Sequence, residues 1–349
     1  MPSLGPWPAD GLESVPRCPV CGSDQRKLLY RDLRDRVFGC APGLWELKLC
    51  LDCGSGYLDP RPTPATIGAA YKKYPQHAAP VPIIRNASGW RGFRDAQRNG
   101  YANRVHGYNL KPARAPWFVT NERKRRFDAF VSYLAFPGEG ARLLDIGCGN
   151  GKFLLQLRSL GWDVHGVEPD PESAAHGRAA GLDVRNGLLQ EQAWPEGYFD
   201  AVTMNHVVEH LHDPPAILRH CWRLLKPGGC IRLITPNLGS WGRQYFGSNW
   251  LPLDPPRHLV LFTEPSLRRA LEGCGFSVSR PPRAIRRARA TLQQSTILRL
   301  GGEPMANNFH LPFRTRVNLR WLAWQADRAS AKEPARAEEL ILLGRKTKE

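Results

Sequence analysis

Three glycines and a carboxylate stand close together after an apolar run, in the segment Leu143-Leu-Asp-Ile-Gly-Cys-Gly-Asn-Gly151. Glycines at such a strand end let the backbone approach a ligand, although the pattern alone also occurs where dinucleotides bind. Asp145 lies inside the turn, where its carboxylate would repel a pyrophosphate but suits an ammonium group. Glu168 ends the following apolar run, where an acid accepts hydrogen bonds from two ribose hydroxyls. These residues predict a site for a ligand with an amino-acid end and a ribose.

Four cysteines form two C-x-x-C pairs, each followed by glycine: Cys18, Cys21, Cys50 and Cys53. The spacing lets one tight turn direct two thiolates at one ion, and the glycine supplies the positive φ of that turn. Two such turns predict a closed four-cysteine zinc site, which is structural because it has no open coordination position. A redox C-x-x-C would not explain the second pair. Cys40, between the pairs, is expected to be a buried thiol.

Histidines are the candidates for acid–base chemistry because their pKa lies near working pH. His258 follows Asp-Pro-Pro-Arg in a predicted loop and is the preferred general base; the alternative is a structural histidine bonded to backbone. His206-Val-Val-Glu209-His210 matches the H-x-x-E-H motif of zinc peptidases, whose histidines share one helical face. Because this segment directly follows a predicted strand, we expect Glu209 and His210 instead to orient a loop and to line the reaction site.

Short apolar runs alternate with helical stretches from Ala141 onward, which predicts βαβ units and a mainly parallel sheet. The predicted strands are 142–146, 163–168, 199–204, 230–235 and 339–344. The predicted helices are 121–133 with Asn121 as N-cap, 152–160, 171–180, 214–225 and 264–271. A long loop is expected up to Phe262, and inserted helices over about 288–328. Trp241, Tyr245, Phe246 and Trp250 in that loop either form a face for an acceptor or pack the loop onto the domain.

Positive charge is concentrated in two stretches. The net charge is +17, and residues 85–126 and 280–349 each carry +9. This asymmetry indicates an anionic partner, such as nucleic acid, a membrane surface or a phosphorylated substrate, or else a solvated Arg-rich surface. No stretch approaches the ~20 apolar residues that cross a bilayer, and residues 1–15 lack a secretory signal pattern. The nine cysteines then indicate a reducing compartment, so we expect a cytoplasmic location.

The segment from about 141 to 276 resembles the class I S-adenosylmethionine-dependent methyltransferases. The resemblance rests on the glycine loop, Glu168, Phe199-Asp200, Val208-Glu-His-Leu211, Leu225-Lys-Pro-Gly-Gly229 and Pro236-Asn237. It implies a doubly wound, Rossmann-like sheet that is mostly parallel with an antiparallel last strand. It implies S-adenosylmethionine as donor, held by Asp145, Gly147, Cys148, Gly149, Glu168, Asn186, Gly187 and Asn205. Asn186 stands where the family usually carries an acid near the adenine.

Two narrower resemblances add expectations. The four-cysteine module together with Asp254-Pro-Pro-Arg-His258 and Phe262-Thr263 is similar to a bacterial methyltransferase group of polysaccharide and natural-product gene clusters. Ubiquinone-pathway O-methyltransferases resemble the segment around Glu209 and hold a divalent metal there with acids and a histidine. In this chain His206 stands where an acid is expected, so we favour a site without catalytic metal.

These observations together predict three parts: a zinc-ribbon-like module over 1–60, a linker and helical region over 61–135 and a methyltransferase domain over 136–349. The expected reaction is methyl transfer to a hydroxyl, or less favourably an amine or carbon, of a small-molecule or saccharide acceptor. His258 is the candidate base, and His206 lies close to the methyl group. An RNA methyltransferase is the second hypothesis, although the N/D-P-P-Y motif of base-amine methylation is missing after the predicted strand 199–204. A non-enzymatic binding protein with a vestigial donor site is the third.

Overall fold

The computed structural model describes residues 6–72, 89–115, 119–282, 284, 288–304 and 309–347. Parts of the predicted linker, at 73–88 and 116–118, and parts of both basic stretches lie outside the described residues.

The described strands are, in chain order, β1 Leu12–Glu13, β2 Arg26–Leu33, β3 Trp45–Cys50, β4 Gly56–Leu58, β5 Arg61–Pro62, β6 Arg142–Ile146, β7 Asp163–Glu168, β8 Asp183–Asn186, β9 Phe199–Asn205, β10 Leu225–Pro236, β11 Val260–Leu261, β12 Phe276–Ser279 and β13 Glu339–Lys346. The described α-helices are α1 Gly89–His106, α2 Asn121–Phe130, α3 Lys152–Arg158, α4 Pro171–Ala179, α5 Pro214–Leu224, α6 Trp241–Phe246, α7 Glu264–Glu272, α8 Ala288–Arg299 and α9 Phe313–Lys332.

Seven strands form the central sheet in the order β12-β13-β10-β9-β6-β7-β8. The pairs from β10 to β8 are parallel, and β13 runs antiparallel to both β10 and β12. The buried strands β6 and β9 carry near-continuous apolar runs, as expected for strands covered on both faces. The predicted doubly wound α/β sheet with an antiparallel last strand is confirmed.

Two local predictions were wrong. The N-cap of α2 is Thr120, whose Oγ1 accepts a hydrogen bond from Arg123 N at 3.3 Å, and Asn121 is the first helical residue. The helix ends at Phe130 because Ser132 and Tyr133 have positive φ values of 58° and 60°. The predicted loop up to Phe262 contains α6 and the short strand β11.

A second sheet joins the N-terminal part to the central domain. Its strand order is β11-β4-β3-β2, so the 260–261 segment contributes an edge to the sheet that carries the cysteines. Val260 pairs with Tyr57, and Leu261 pairs with Gly56. Apolar residues of both parts pack in one continuous core. The division into 1–60, 61–135 and 136–349 stays a prediction. Residues 1–60 and 136–349 both contribute strands to the sheet β11-β4-β3-β2.

The predicted inserted helices are present as α8 and α9, which pack against each other. Among the described residues, none of the helices has the length and apolarity that a membrane crossing requires.

Candidate active site and cysteine cluster

The glycine loop follows β6 and lies directly beside the end of β7. Glu168 is buried, with Oε2 accepting from Gly149 N at 2.8 Å and Oε1 accepting from Asp170 N at 2.9 Å. Burial raises the pKa of Glu168 above its ordinary value, against these two hydrogen bonds. Each carboxylate oxygen keeps a further lone pair, as acceptance of ribose hydroxyls requires.

Gly147 connects this loop to the histidine segment. Its φ is +68°, and a Cβ built there would lie 2.5 Å from Cγ2 of Val207. Only glycine therefore lets the loop pass so close to the residue that follows His206.

Asp145 lies buried beneath the loop. Its Oδ1 accepts hydrogen bonds from Thr203 Oγ1 at 2.6 Å and from Asn205 Nδ2 at 3.3 Å. Burial raises the pKa of Asp145 to about 7, with a smaller contribution from the charge of Glu168. This carboxylate is therefore near its titration midpoint at neutral pH, and a nearby cation would ionise it fully.

Arg232 belongs to the same network and was missed by the sequence analysis. Its side chain is buried on β10, and Nη1 donates to Asn205 Oδ1 at 2.8 Å. Burial lowers the pKa of Arg232 to about 10, so the guanidinium stays charged at neutral pH. The signal was a single arginine inside the apolar strand 230–235.

Asn186 and Gly187 lie next to Glu168, as the adenine prediction requires. Asn186 Nδ2 donates to the carbonyl oxygens of Glu168 at 2.9 Å and Pro169 at 3.0 Å. The amide nitrogen is therefore occupied by backbone, and the amide oxygen is the atom left to receive a ligand. Cys148 is buried, and burial raises the pKa of its thiol.

His206 directly follows β9 and has a left-handed conformation with φ of 54°. Its Nδ1 lies 3.3 Å from Glu209 Oε1, and its Nε2 lies 3.4 Å from Glu339 Oε1. Burial by itself lowers the pKa of His206, but the two carboxylates outweigh burial and raise it to about 10. The ring is therefore an imidazolium at neutral pH, able to donate a proton but not to accept one.

Glu209 is fully buried, and its Oε2 accepts from Thr235 Oγ1 at 2.9 Å. Burial favours the neutral acid, but the ion pair with His206 and the nearby His210 and His258 lower the pKa of Glu209 to about 2. The segment Val208–His210 is a single 3-10 turn, not an α-helix. The histidines of His206-Val-Val-Glu-His210 do not share the helical face that a zinc peptidase needs, because His206 turns to Glu209 and Glu339.

His210 and His258 lie together, with ring centroids 4.8 Å apart. His258 Nδ1 lies 2.7 Å from the carbonyl oxygen of Pro252, and His210 Nδ1 lies 2.9 Å from that of Arg257. A carbonyl can only accept, so each Nδ1 carries the proton and each Nε2 is the basic nitrogen. Burial and repulsion from His258 lower the pKa of His210 to about 4.

These two histidines and Glu209 could also hold a metal ion. One donor atom of each of Glu209, His210 and His258 lies within 4.8 Å of the others. His206 lies outside this group.

Arg257 links the loop that carries His258 to the N-terminal part through buried ion pairs. Its guanidinium is fully buried, with Nη2 2.6 Å from both Asp35 Oδ1 and Asp254 Oδ1 and Nη1 donating to Ala70 O at 3.0 Å. Burial opposes the charge of Asp35, but the Arg257 hydrogen bonds outweigh it and hold the pKa of Asp35 far below its usual range. Tyr71 adds a second link, with its hydroxyl 3.0 Å from His210 Nδ1.

The four predicted cysteine ligands converge. Sγ–Sγ distances are 3.6 Å for both Cys18–Cys53 and Cys21–Cys50, and all four sulfurs lie within 4.8 Å of one another. Four thiolates about 2.3 Å from a tetrahedral zinc would lie about 3.8 Å apart, so the cluster fits that ion. Gly22 and Gly54 adopt φ values of 77° and 76°, as the predicted turns require. Cys40 is partly buried, and its thiol donates to Ala70 O at 3.2 Å.

The aromatic residues of the 236–259 segment divide between two roles. Trp250 and Phe246 are buried, and Trp250 Nε1 donates to Glu338 Oε2 at 3.1 Å, so these two pack the segment. Trp241 and Tyr245 stack with centroids 5.1 Å apart and remain partly exposed.

Residues 119–280 match the methyltransferase domain family. The chain is 35% identical over 152 residues to the ubiquinone biosynthesis O-methyltransferase of Cereibacter sphaeroides, which covers 41% of this chain and 61% of that protein. It is 42% identical over 105 residues to the ubiquinone biosynthesis O-methyltransferase of Xanthomonas oryzae pv. oryzae, covering 28% of this chain and 44% of that protein. The chain thus spans less than two thirds of the length of these relatives.

Among solved structures, a SAM-dependent methyltransferase from Archaeoglobus fulgidus is 21% identical, with 65% of this chain and 95% of that chain covered and a TM-score of 0.42. The family match covers β6 to β12, the segment that carries the glycine loop, Glu168 and the histidine cluster. Residues 119–280 therefore match a methyltransferase domain, over just under half of the chain.

Proposed function

We propose that this protein transfers a methyl group from S-adenosylmethionine to a hydroxyl of a small-molecule or saccharide acceptor, with His258 as general base. One observation carries the proposal. The basic Nε2 atoms of His258 and His210 belong to a cluster that adjoins the glycine loop through the Gly147–Val207 contact. The kinship with ubiquinone biosynthesis O-methyltransferases supports oxygen as the methylated atom.

The donor side rests on five residues. Asp145 would ionise against the donor's ammonium group, and Glu168 would accept hydrogen bonds from its ribose. Asn205, which accepts a hydrogen bond from Arg232 and donates one to Asp145, would orient the Asp145 carboxylate. Asn186 and Gly187 would border the adenine. The donor supplies an activated methyl group, so the chain's contribution is alignment and removal of the acceptor proton.

His258 suits the base role better than its neighbours. It stands on the segment that follows β10, whereas the predicted donor contacts lie at the ends of β6, β7, β8 and β9. Its Nδ1 donates to the carbonyl oxygen of Pro252, so Nε2 would be the atom that accepts the acceptor's hydroxyl proton. The acceptor oxygen would then bond to the methyl carbon as the bond from that carbon to the donor sulfur breaks, and the sulfur would keep the electron pair. His206 is already protonated, and the low pKa of His210 makes it a weak base.

We propose a structural zinc ion at Cys18, Cys21, Cys50 and Cys53. Four sulfurs at tetrahedral spacing fill every coordination position, which leaves the metal no catalytic role. A catalytic divalent metal at Glu209, His210 and His258 is the second candidate, favoured by the convergence of their donor atoms. Metal in excess of one zinc per chain, with activity lost when only that excess is removed, would support it.

RNA methylation is less well supported. The Asp254-Pro-Pro-Arg257 segment has no side chain free to stack on a base, because Arg257 is fully buried in ion pairs. The non-enzymatic alternative fails if the chain binds the donor and transfers label.

Incubation with radiolabelled donor and panels of catechols, sugars and bulk RNA tests the proposal. We expect label in a phenolic or sugar acceptor, and a His258→Ala variant with kcat lowered about 10²–10⁴-fold at nearly unchanged donor affinity. The loss should shrink at high pH for a phenol, which ionises unaided, and persist for a sugar hydroxyl. Stoichiometric label in RNA, or no donor binding at all, would contradict the proposal.

A further inference from the structure

Helix α9 has one buried and one exposed face. The buried residues recur at helical spacing and pack the helix onto the rest of the chain, which includes α8 and α6: Leu319, Leu322, Ala323, Ala326 and Ser330. The buried face explains how the helix packs on the protein. It does not explain why the opposite face carries large apolar residues.

The opposite face exposes large apolar side chains in a single stripe. Phe313 is 73% exposed, Val317 49%, and Trp321 and Trp324 55% each. Their spacing of four, four and three residues aligns them on one side of the helix. A continuous exposed apolar stripe of this kind marks an interaction surface, unlike apolar residues scattered singly.

The same helix is strongly basic. It carries Arg314, Arg316, Arg320, Arg328 and Lys332 against one acid, Asp327. Arg320 and Arg328 project within the apolar stripe by their helical positions, and Arg314 and Arg316 flank it. The guanidinium of Arg328 lies 5.4 Å from the Trp324 ring centroid. Aromatic residues with interleaved arginines suit a partner that offers both an apolar interior and anionic groups at its surface.

We propose that this face of α9 binds the surface of an anionic lipid bilayer. The tryptophans, Phe313 and Val317 would enter the boundary between headgroups and acyl chains, and the arginines would contact lipid phosphates, with the helix lying in the membrane plane. The helix lies outside the matched domain of 119–280, and the inference does not depend on the proposed reaction.

Two other partners could cover such a stripe: a second copy of this chain or RNA. A second copy would bring the same basic face against itself in a two-fold dimer, and like charges would repel. RNA would satisfy the arginines, but it would leave Val317 and Phe313 without an apolar environment. An anionic membrane satisfies both the cations and the apolar stripe.

Flotation of the full chain with phosphatidylcholine vesicles, with and without phosphatidylglycerol, tests the proposal. We expect the chain to float only with the phosphatidylglycerol vesicles and to be released by high salt. Trp321→Ser/Trp324→Ser should lower the partition coefficient roughly tenfold or more. Arg320→Glu/Arg328→Glu should lower it roughly fivefold or more for each residue. Circular dichroism and donor binding should be unchanged, because all four side chains are exposed.

Matched controls come from the N-terminal part: Leu44→Ser, at a residue 53% exposed, and Arg31→Glu, at an exposed position of β2. Both should float like the wild type. The proposal is overturned if the wild type stays unbound with anionic vesicles, or if the double tryptophan variant floats equally well. It is also overturned if the tryptophan substitutions abolish a dimer or RNA binding while flotation is unaffected.

Discussion

Glu168 shows at the scale of one residue how a strand end becomes a ligand site. Both its oxygens are positioned by backbone N–H groups, so the carboxylate is fixed before a ligand arrives. We predict that Glu168→Ala weakens donor binding by about 1.5–3 kcal/mol, roughly 10- to 150-fold in Kd, through lost hydrogen bonds to a charged group. Calorimetry measures this loss. Glu172→Ala, at an exposed position of α4, is the control, and an unchanged Kd for Glu168→Ala would refute the ribose assignment.

Asp145 gives donor binding a pH dependence. Its pKa of about 7 in the free chain means that it is half protonated at neutral pH, whereas a cationic ligand favours the carboxylate. We predict that Kd rises as pH falls below about 7, by up to about tenfold per pH unit. Calorimetry across this range should show the dependence, and Asp145→Asn should flatten it while weakening binding. A pH-independent wild-type Kd would exclude Asp145 from contact with the ammonium group.

The same shift has a consequence for stability in the absence of donor. The folded state keeps a proton on Asp145 that the unfolded chain releases near pH 3.8. The contribution of this group to the free energy of unfolding is therefore full below about pH 4 and is lost as pH rises to about 7.

At the scale of elements, a buried ion pair network links the segment from α6 to β11 to the N-terminal part. Arg257 makes charge-assisted bonds to Asp35 on one side and Asp254 on the other, all of them buried. We predict that Arg257→Ala lowers the free energy of unfolding by about 3–5 kcal/mol, because it leaves buried carboxylates unpaired. Urea unfolding measures the loss.

Arg31→Ala, at an exposed position of β2, should change stability little in the same experiment. A small loss for Arg257→Ala would mean that water reaches Asp35 and Asp254 and that the network does not hold the segment.

At the scale of the whole molecule, backbone pairing and side-chain contacts link the cysteine cluster to the histidine cluster. The cysteine-bearing sheet holds the His258 loop through the β4–β11 pairing, Arg257–Asp35 and Tyr71–His210. We predict about one zinc per chain. Cys53→Ser should lower zinc content and reduce turnover by about 10²-fold, because small displacements of His258 are costly, while donor affinity is largely kept.

Metal analysis, calorimetry with the donor and an acceptor assay separate these effects. Cys40→Ser is the control, because Cys40 lies outside the sulfur cluster. Retained turnover in zinc-free Cys53→Ser would show that the two clusters are independent.

The sequence by itself determined the features that depend on neighbouring residues. Glycines with positive φ, the acid at the end of β7 and the spacing of the C-x-x-C pairs act within one turn, so residue types suffice to predict them. The alternation of apolar runs and helical stretches likewise predicted the mainly parallel sheet. These local signals located the glycine loop and the sulfur cluster.

Only the tertiary structure decided how distant segments meet. Arg257 pairs with an aspartate 222 residues away, and His210 donates to a carbonyl 47 residues away. No periodicity encodes such partners, because burial rewards any pairing that satisfies the charges. The same holds for the hydrogen bond from Arg232 to Asn205 and for β11, which completes the cysteine-bearing sheet. The surroundings of the histidines were decided there too, since two carboxylates raise the pKa of His206 and backbone carbonyls accept from Nδ1 of His210 and His258.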